Sequence, residues 1–337
     1  MSRRALVTGG AGFIGSHVVR HCLELGHDVW VVDDLSGGFA ENIPAGAVFV
    51  KGSIADSEFV DTLFEQERFD YVYHLAAYAA EGLSHFIRRF NYTNNVIGSI
   101  NVLNAAIRQG DVSRFVFTSS IAVYGTNQLP MTEDLVPMPE DPYGIAKYAV
   151  ELDLRAAREM FGLEFTVFRP HNVYGEHQNI GDRYRNVVGI FMNQAMHGRP
   201  MTIFGDGSQS RAFSHIDDVA PVIARSVLQD EAANEVFNVG ADQATTVAEL
   251  AELVASALGV EPLIERVPAR NEVAHAFASH EKARQLLGAG PTVPLDEGIR
   301  RMAAWARSHG PRQSEPFEGI EVTRNFPAAW AGDIATS

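Results

Sequence analysis

Tyr143 and Lys147 stand four residues apart in a stretch with helical periodicity, so both side chains are expected on one face of a helix. A lysine ammonium beside a phenol favours the phenolate and lowers the phenol's pKa from its ordinary value of about 10. Such a pair would act as a general base near neutral pH. The same spacing is also typical of a solvated helix, so its interpretation depends on two motifs that precede it.

A glycine-rich turn follows the first predicted strand, at residues 5–8. Gly9, Gly12 and Gly15 recur every third residue, and then come a helical pattern and a second strand that ends at Asp33. This order predicts a dinucleotide site, because the turn lets a pyrophosphate approach the free N–H groups of a helix N-terminus. Asp33 is placed to bind a ribose diol and to repel a 2′-phosphate, which favours NAD over NADP. The alternative is a tight turn followed by a surface acid.

Hydroxyl and small side chains are predicted at the carboxyl ends of two further strands. Ser119 and Ser120 end the strand pattern that begins at Arg114, and Ala76 and Ala77 follow another strand. Ligands bind at this edge of an open parallel sheet, where small residues let a cofactor lie close to the backbone. The two serines could equally cap a helix or close a turn.

Composition excludes several classes of function. The 337 residues carry a formal net charge of −15, so neither a nucleic acid nor an anionic membrane is expected as a partner. Hydrophobic residues make up 46% and charged residues 20%, as in a globular protein with a sizeable core. The single cysteine, Cys22, rules out an internal disulfide and fits a reducing compartment. No metal site is expected, and we expect a cytoplasmic protein.

The order of strands and helices predicts an α/β protein with a Rossmann-type doubly wound parallel sheet and a smaller C-terminal substrate-binding α/β domain. We expect the nucleotide-binding domain at 1–170, with 212–245 returning to it. The substrate-binding domain is expected at 171–211 and 246–310. Residues 311–337 have no clear period, and we expect a loosely packed tail there.

Three motifs in this order resemble the extended short-chain dehydrogenase/reductases: TGGAGFIG at 8–15, FTSS at 117–120 with VYG at 123–125, and YGIAK at 143–147. The chain is most similar to the nucleotide-sugar epimerase/dehydratase branch, whose best-known members are UDP-glucose 4-epimerases. The resemblance implies that Tyr143 is the catalytic base, that Lys147 lowers its pKa and that Ser120 binds the sugar hydroxyl. It also implies a homodimer that pairs the helices near 91–109 and 143–161.

The resemblance further implies which residues surround the two ligands. Those expected around NAD are Gly9, Gly12, Phe13, Ile14, Gly15, Asp33, Leu35, Ser36, Gly37, Ser53, Ile54, Leu75, Ala76, Ala77, Asn95, Tyr143, Lys147 and His171. Those expected around a UDP-sugar are Ser119, Ser120, Tyr143, Asn172, Asn186, Arg211 and Arg270. Ser53 departs from the family's usual Asp, and Arg270 lies closer to the following acid than is usual.

The residues after Ser120 indicate which reaction of the family to expect. The 4,6-dehydratases of this family carry an Asp-Glu pair there, and UDP-glucuronate decarboxylases have a Glu at the position of Ala122. This chain has neither acid, so the resemblance implies 4-epimerisation of UDP-glucose and UDP-galactose. UDP-glucuronate is the alternative substrate, for which Arg88, Arg89, Arg183 and Arg185 are possible cations. A non-catalytic nucleotide-binding protein is a third hypothesis, and the joint presence of Ser120, Tyr143 and Lys147 argues against it.

Overall fold

The computed structural model describes residues 2–269 and 273–333 of the chain. Its β-strands are β1 Arg4–Thr8, β2 Asp28–Asp33, β3 Val48–Lys51, β4 Tyr71–His74, β5 Arg114–Thr118, β6 Phe165–Pro170, β7 Val173–Tyr174, β8 Met201–Phe204, β9 Ser210–Ala212, β10 Ser214–His215, β11 Glu235–Val239, β12 Ala244–Thr246, β13 Ile264–Val267 and β14 His275–Ala276. Its α-helices are α1 Phe13–Glu24, α2 Ser57–Gln66, α3 Glu81–Ser84, α4 Arg88–Tyr92, α5 Gly98–Gln109, α6 Pro142–Phe161, α7 Val187–Met196, α8 Ile216–Arg225, α9 Val247–Leu258, α10 Glu281–Leu287 and α11 Leu295–His309.

The largest sheet in the described residues has seven strands in the order β11-β6-β5-β4-β1-β2-β3. All of its neighbouring strands pair in parallel. Strand order reverses between β1 and β4, which is the switch point where doubly wound sheets bind ligands. One face packs against α1 and α8, and the other against α2, α5 and α6. This arrangement confirms the predicted α/β fold class.

A smaller α/β part lies above the carboxyl edge of the main sheet. It contains the β8–β13 pair and the sheet of β12, β9 and β14, and its core is formed largely by α7, α9 and α11. β11 belongs to the main sheet although the chain reaches it after β8 and β9. The exact domain limits at 170, 212, 245 and 310 stay a prediction.

The helix predicted at 91–109 is interrupted. α4 and α5 are joined by a π-helical turn at Thr93–Ile97. Within this turn the Asn95 amide accepts the N–H of Tyr78 at 2.8 Å and donates to the Tyr78 carbonyl at 3.0 Å. The turn thereby fixes the loop that follows β4, and π-turns are common beside functional sites.

Helix α6, which carries the predicted catalytic pair, is fixed at both ends. The Asp141 carboxylate caps it by accepting the N–H groups of Tyr143 and Gly144, each at 2.9 Å, and Pro142 occupies the first turn. Gly162 ends it in the left-handed conformation, with φ 75°. None of the helices in 2–269 and 273–333 has the length and apolar character needed to cross a bilayer.

Residues 311–330 of the expected tail are mostly exposed, but several of their apolar side chains are anchored on the rest of the molecule. Phe317, Ile320, Phe326 and Trp330 pack in a cluster with aromatic residues from the loop after β4, from α4 and from β8. Trp330 is only 6% exposed. The tail is therefore part of the folded body.

Candidate active site

The glycine turn after β1 is built for close backbone approach. Gly9 has φ +73°, which is unfavourable for other L-residues. A Cβ at Gly15 would lie 2.0 Å from the Gly9 carbonyl oxygen, so any side chain there would displace the turn from α1. The N-terminus of α1 consequently faces the cavity above the sheet with its N–H groups accessible to an anion. These residues fit the pyrophosphate of a dinucleotide.

Asp33, at the end of β2, lies in the same cavity. One carboxylate oxygen accepts the N–H of Ala11 at 3.0 Å, and the other accepts the N–H of Leu35 at 2.8 Å. Burial raises the pKa of Asp33, and the two backbone hydrogen bonds oppose that shift. The turn thus fixes the carboxylate in a position that suits a ribose diol.

One cavity of about 820 Å³ runs across the carboxyl edge of the main sheet and into the smaller α/β part. This volume is near the upper end of the range of volumes found for ligand pockets. The predicted NAD residues that line it are Gly9, Gly12, Phe13, Ile14, Gly15, Asp33, Ser36, Gly37, Ile54, Leu75, Ala76, Ala77, Tyr143, Lys147 and His171. Leu35, Ser53 and Asn95 do not line it: the first two lie in turns, and Asn95 braces the loop after β4.

Ser120, Tyr143 and Lys147 all line this cavity. The Ser120 hydroxyl is close enough to the Tyr143 phenol to oppose the rise in its pKa. The Lys147 ammonium donates to the Thr118 carbonyl at 2.8 Å and lies 5.9 Å from the centre of the Tyr143 ring. β5 and α6 thus bring together the three residues predicted to be catalytic.

Burial acts on the pKa values of both members of this pair. Burial raises the pKa of Tyr143 above its ordinary value, and the negative charges of Asp141 and Glu81 add to that rise, while the Ser120 hydrogen bond opposes it. Burial also lowers the pKa of Lys147 to about 7, against the opposing effect of Glu151. Burial thus opposes charge on both side chains, and the role of Lys147 in lowering the pKa of Tyr143 stays a prediction.

A buried polar network supports the back of the site. Glu151, one turn beyond Lys147 on α6, accepts two hydrogen bonds from Arg169, at 2.5 and 3.0 Å, and one from the Ser119 hydroxyl at 2.5 Å. Arg169 also donates to the Tyr124 hydroxyl at 2.7 Å. The Ser119 side chain is thus directed toward the network, although the residue lines the cavity. The spacing of 143, 147 and 151 on one helix face was the available signal for Glu151.

Asn172, Asn186 and Arg211, predicted to bind the substrate, line the cavity too. Asn172 and Asn186 have positive φ values, 41° and 60°. The Asn186 side chain caps α7, and Arg211 donates to the Ser210 and Ala274 carbonyls at 2.9 and 2.8 Å. The remaining predicted substrate residue, Arg270, lies outside the described residues.

Several cavity residues were not predicted. They include Tyr78, Glu81, His85, Tyr184, Phe204, Gln209 and Trp330. Of the four arginines considered as partners of a glucuronate, Arg183 and Arg185 line the cavity, whereas Arg88 and Arg89 are exposed elsewhere. No group of three or more His, Cys, Asp or Glu side chains that could hold a metal ion occurs among the residues that the structure describes.

Comparison with known proteins agrees with this geometry. A model of the NAD dependent epimerase/dehydratase family matches residues 5–240. The UDP-glucose 4-epimerase of Mycolicibacterium smegmatis is 36% identical over 90% of this chain and 99% of its own length.

Solved structures give the same result. The UDP-glucose 4-epimerase of Thermotoga maritima, with UDP-glucose, has a TM-score of 0.86 and 37% identity, over 91% of this chain and 99% of its own. The UDP-glucuronic acid 4-epimerase of Bacillus cereus, in complex with UDP-glucuronic acid and NAD, has a TM-score of 0.83 and 26% identity, over the same shares. The chain therefore belongs to the NAD dependent epimerase/dehydratase family, which confirms the resemblance seen in its motifs and NAD as its cofactor.

Proposed function

We propose that the protein is an NAD-dependent 4-epimerase of a UDP-hexose, which interconverts UDP-glucose and UDP-galactose through a 4-keto sugar. The observation that carries this proposal is the pairing of the Ser120 and Tyr143 hydroxyls on a cavity wall where the following turn, Ile121–Tyr124, contains no carboxylate. The acid that dehydratases and decarboxylases of this family carry on that turn is missing from it, whereas the two hydroxyls can move the proton of a sugar hydroxyl. The relatives named UDP-glucose 4-epimerase support this choice.

In the proposed reaction the Tyr143 phenolate removes the proton of the sugar 4-hydroxyl, and Ser120 donates a hydrogen bond to the same oxygen. NAD, held by the glycine turn and Asp33, would supply the hydride acceptor for oxidation at C4 and the hydride donor for the reduction that follows on the opposite face of the sugar. Tyr143 then gives the proton back to the C4 oxygen. A positive charge next to the phenol would lower the pKa that burial raises, so deprotonation of Tyr143 is coupled to occupancy of the site.

The 4-keto sugar must rotate between the oxidation and the reduction at C4. The cavity has room for this because it is continuous from the glycine turn to β8 and Ala276. We infer that Asn186 and Arg211 hold the diphosphate while the sugar rotates. A small residue at position 276 leaves space beside the sugar for a bulky substituent.

UDP-glucuronate remains the alternative substrate, because Arg183 and Arg185 line the cavity and a carboxylate needs a cation when it is buried. The Arg185 guanidinium already binds Asp182 at 2.5 Å and stacks over the Tyr78 ring at 5.0 Å. Its charge is therefore partly compensated, which favours a neutral hexose as the first choice.

The test compares kcat/KM for UDP-glucose and UDP-glucuronate, with the C4 epimers identified by NMR. We expect UDP-glucose to be preferred; a hundredfold preference for the uronate, roughly 2.7 kcal/mol of transition-state free energy, would instead select the alternative. Tyr143→Phe should lower kcat by about 10²–10⁴-fold and leave NAD bound. Tyr148→Phe, the same change on the same helix away from the cavity, is the control. Wild-type turnover in Tyr143→Phe would reject the proposed base.

We also propose that the protein is a homodimer that pairs α5 and α6 with their copies. Large apolar side chains are exposed on α6 and on the π-turn before α5: Ile97 (50%), Ile145 (41%), Leu152 (47%) and Phe161 (63%). Ile145 and Leu152 are two turns apart and lie on one face of α6. An exposed apolar face of this kind is typical of a helix-pairing interface.

A further inference from the structure

Residues 311–333, called the C-terminal strap below, connect the two parts of the molecule. At the start of the strap, the N–H and carbonyl of Arg312 form hydrogen bonds with the Asn193 side chain on α7, both at 2.9 Å. Further on, the Glu321 carboxylate accepts the N–H groups of Arg89 and Phe90, at 2.8 and 2.9 Å, at the start of α4. The strap therefore crosses from the smaller α/β part to the main domain.

Aromatic contacts hold the strap behind the cavity wall. The Phe317 ring centre lies 5.4 Å from that of Tyr78 and 5.0 Å from that of Phe90, and both partners line the cavity. The Phe317 N–H also donates to the Tyr184 hydroxyl at 3.1 Å. Edge-to-face contacts of this kind add to the free energy of apolar burial.

Trp330 reaches the cavity itself. Its ring is 5.3 Å from Tyr184 and 6.2 Å from Phe204, and all three residues line the cavity. Phe204 ends β8, so Trp330 belongs to the part of the wall formed by the smaller α/β domain. Gln209, two residues before Arg211, donates to the Phe204 carbonyl at 2.8 Å. The wall at Trp330 is thus connected through Phe204 to the segment that carries Arg211.

The position of the proposed substrate determines which of its groups lies against the aromatic wall near Trp330. The reacting sugar carbon must lie at Ser120 and Tyr143, and the diphosphate is assigned above to Asn186 and Arg211. The nucleoside is attached at the far side of the diphosphate, so it extends toward β8. An aromatic wall suits a nucleobase, which has a flat face that stacks on aromatic rings.

We propose that the C-terminal strap is part of the nucleoside subsite, and that Trp330 packs against the uridine of the substrate. This inference rests on the proposed function for the identity of the nucleotide. The match with each solved relative named above covers 99% of the relative, but it leaves 9% of this chain unmatched. That share is close to the length of the chain after α11. We infer that the strap is an addition in this chain.

The test measures the affinity of the full-length protein, loaded with NAD, for UDP by calorimetry. Trp330→Ala should weaken UDP binding by roughly tenfold or more, as loss of a base–aromatic stack does. Trp330→Phe should restore most of the affinity, and Trp330→Leu, which keeps apolar bulk and protects the fold, should not. Ile320→Ala, in the same strap and outside the cavity lining, is the control and should bind UDP normally. UDP should also quench tryptophan fluorescence in the wild type and much less in Trp330→Phe.

Equal UDP affinity in the wild type and in both Trp330→Ala and Trp330→Leu would overturn the inference. Absence of UDP binding by the wild type would overturn both the inference and the proposed function. A loss of UDP affinity confined to the Trp330 variants, in a protein that epimerises no UDP-sugar, would uphold the subsite and reject the 4-epimerase. NAD affinity should stay unchanged in every variant, because the substituted residues lie near the end of the strap, whereas the strap meets the loop after β2 through Arg312, which contacts Phe39 and Glu41.

Discussion

Glu151 offers the most direct test of how the site is supported. Its side chain is fully buried, and it accepts two hydrogen bonds from the buried Arg169 guanidinium and one from Ser119. Glu151→Gln keeps the shape of the side chain and removes its charge. Arg169, whose side chain is 1% exposed, would then be a buried cation without a counter-charge.

Removal of one partner from a buried ion pair costs about 3–5 kcal/mol, because the charge that remains cannot be solvated. That cost is large relative to the free energy of unfolding of most domains, which is roughly 5–15 kcal/mol. The exposed Glu159 on the same helix provides the matched control, since Glu159→Gln makes the same chemical change in water. Its effect should stay within about 0.5 kcal/mol.

Urea denaturation followed by circular dichroism gives the free energy of unfolding for both variants. A double variant, Glu151→Leu with Arg169→Met, should be more stable than Glu151→Gln, because it removes the unpaired charge along with its partner. If Glu151→Gln unfolds at the same urea concentration as Glu159→Gln, the buried pair does not stabilise the fold as argued here.

Two further predictions concern Lys147 and the subunit interface. The folded-state pKa of Lys147, about 7, lies below its ordinary value of 10.5, so the unfolded chain binds more protons between these values and stability rises with pH. In urea melts of the NAD-free protein, wild type should gain about 2 kcal/mol relative to Lys147→Met between pH 7 and 9; parallel pH profiles would contradict the lowered pKa. Leu152→Asp should give monomers in light scattering. Leu228 is 57% exposed and lies outside α5 and α6, so Leu228→Asp should leave the dimer intact. A monomeric wild type would refute the proposed dimer.

The sequence predicted the main sheet well because its strands are apolar runs bounded by glycine, acid or proline. The strand predicted at residues 5–8 is β1, the strand predicted to end at Asp33 is β2, and the strand predicted to begin at Arg114 is β5. Strands of two or three residues, such as β7 and β10, have no period to detect, and they form only because longer elements place them side by side.

Most of the site residues that local motifs indicated line the cavity, whereas cavity residues that depend on distant contacts were not foreseen. Asn95 was predicted to bind NAD, but its amide is used by the backbone of Tyr78. Trp330 lies in a segment without periodicity, and its partners Tyr184 and Phe204 are more than a hundred residues away in the chain. The rise in the pKa of Tyr143 could not be read from its spacing to Lys147, since burial is set by the whole fold.

The place of β11 determines when the nucleotide-binding domain can be completed during synthesis. β6 is buried at all six positions, and β11 covers one of its edges through the parallel pairing of Glu235–Val239 with Thr166–Pro170. The ribosome makes β8 and β9 of the smaller α/β part before it makes β11. Until then, an emerging chain presents an apolar strand with an unpaired edge, which is a template for aggregation. A fragment ending near residue 170 should therefore be a poor independent folding unit, and chaperones would be needed most in this interval of translation.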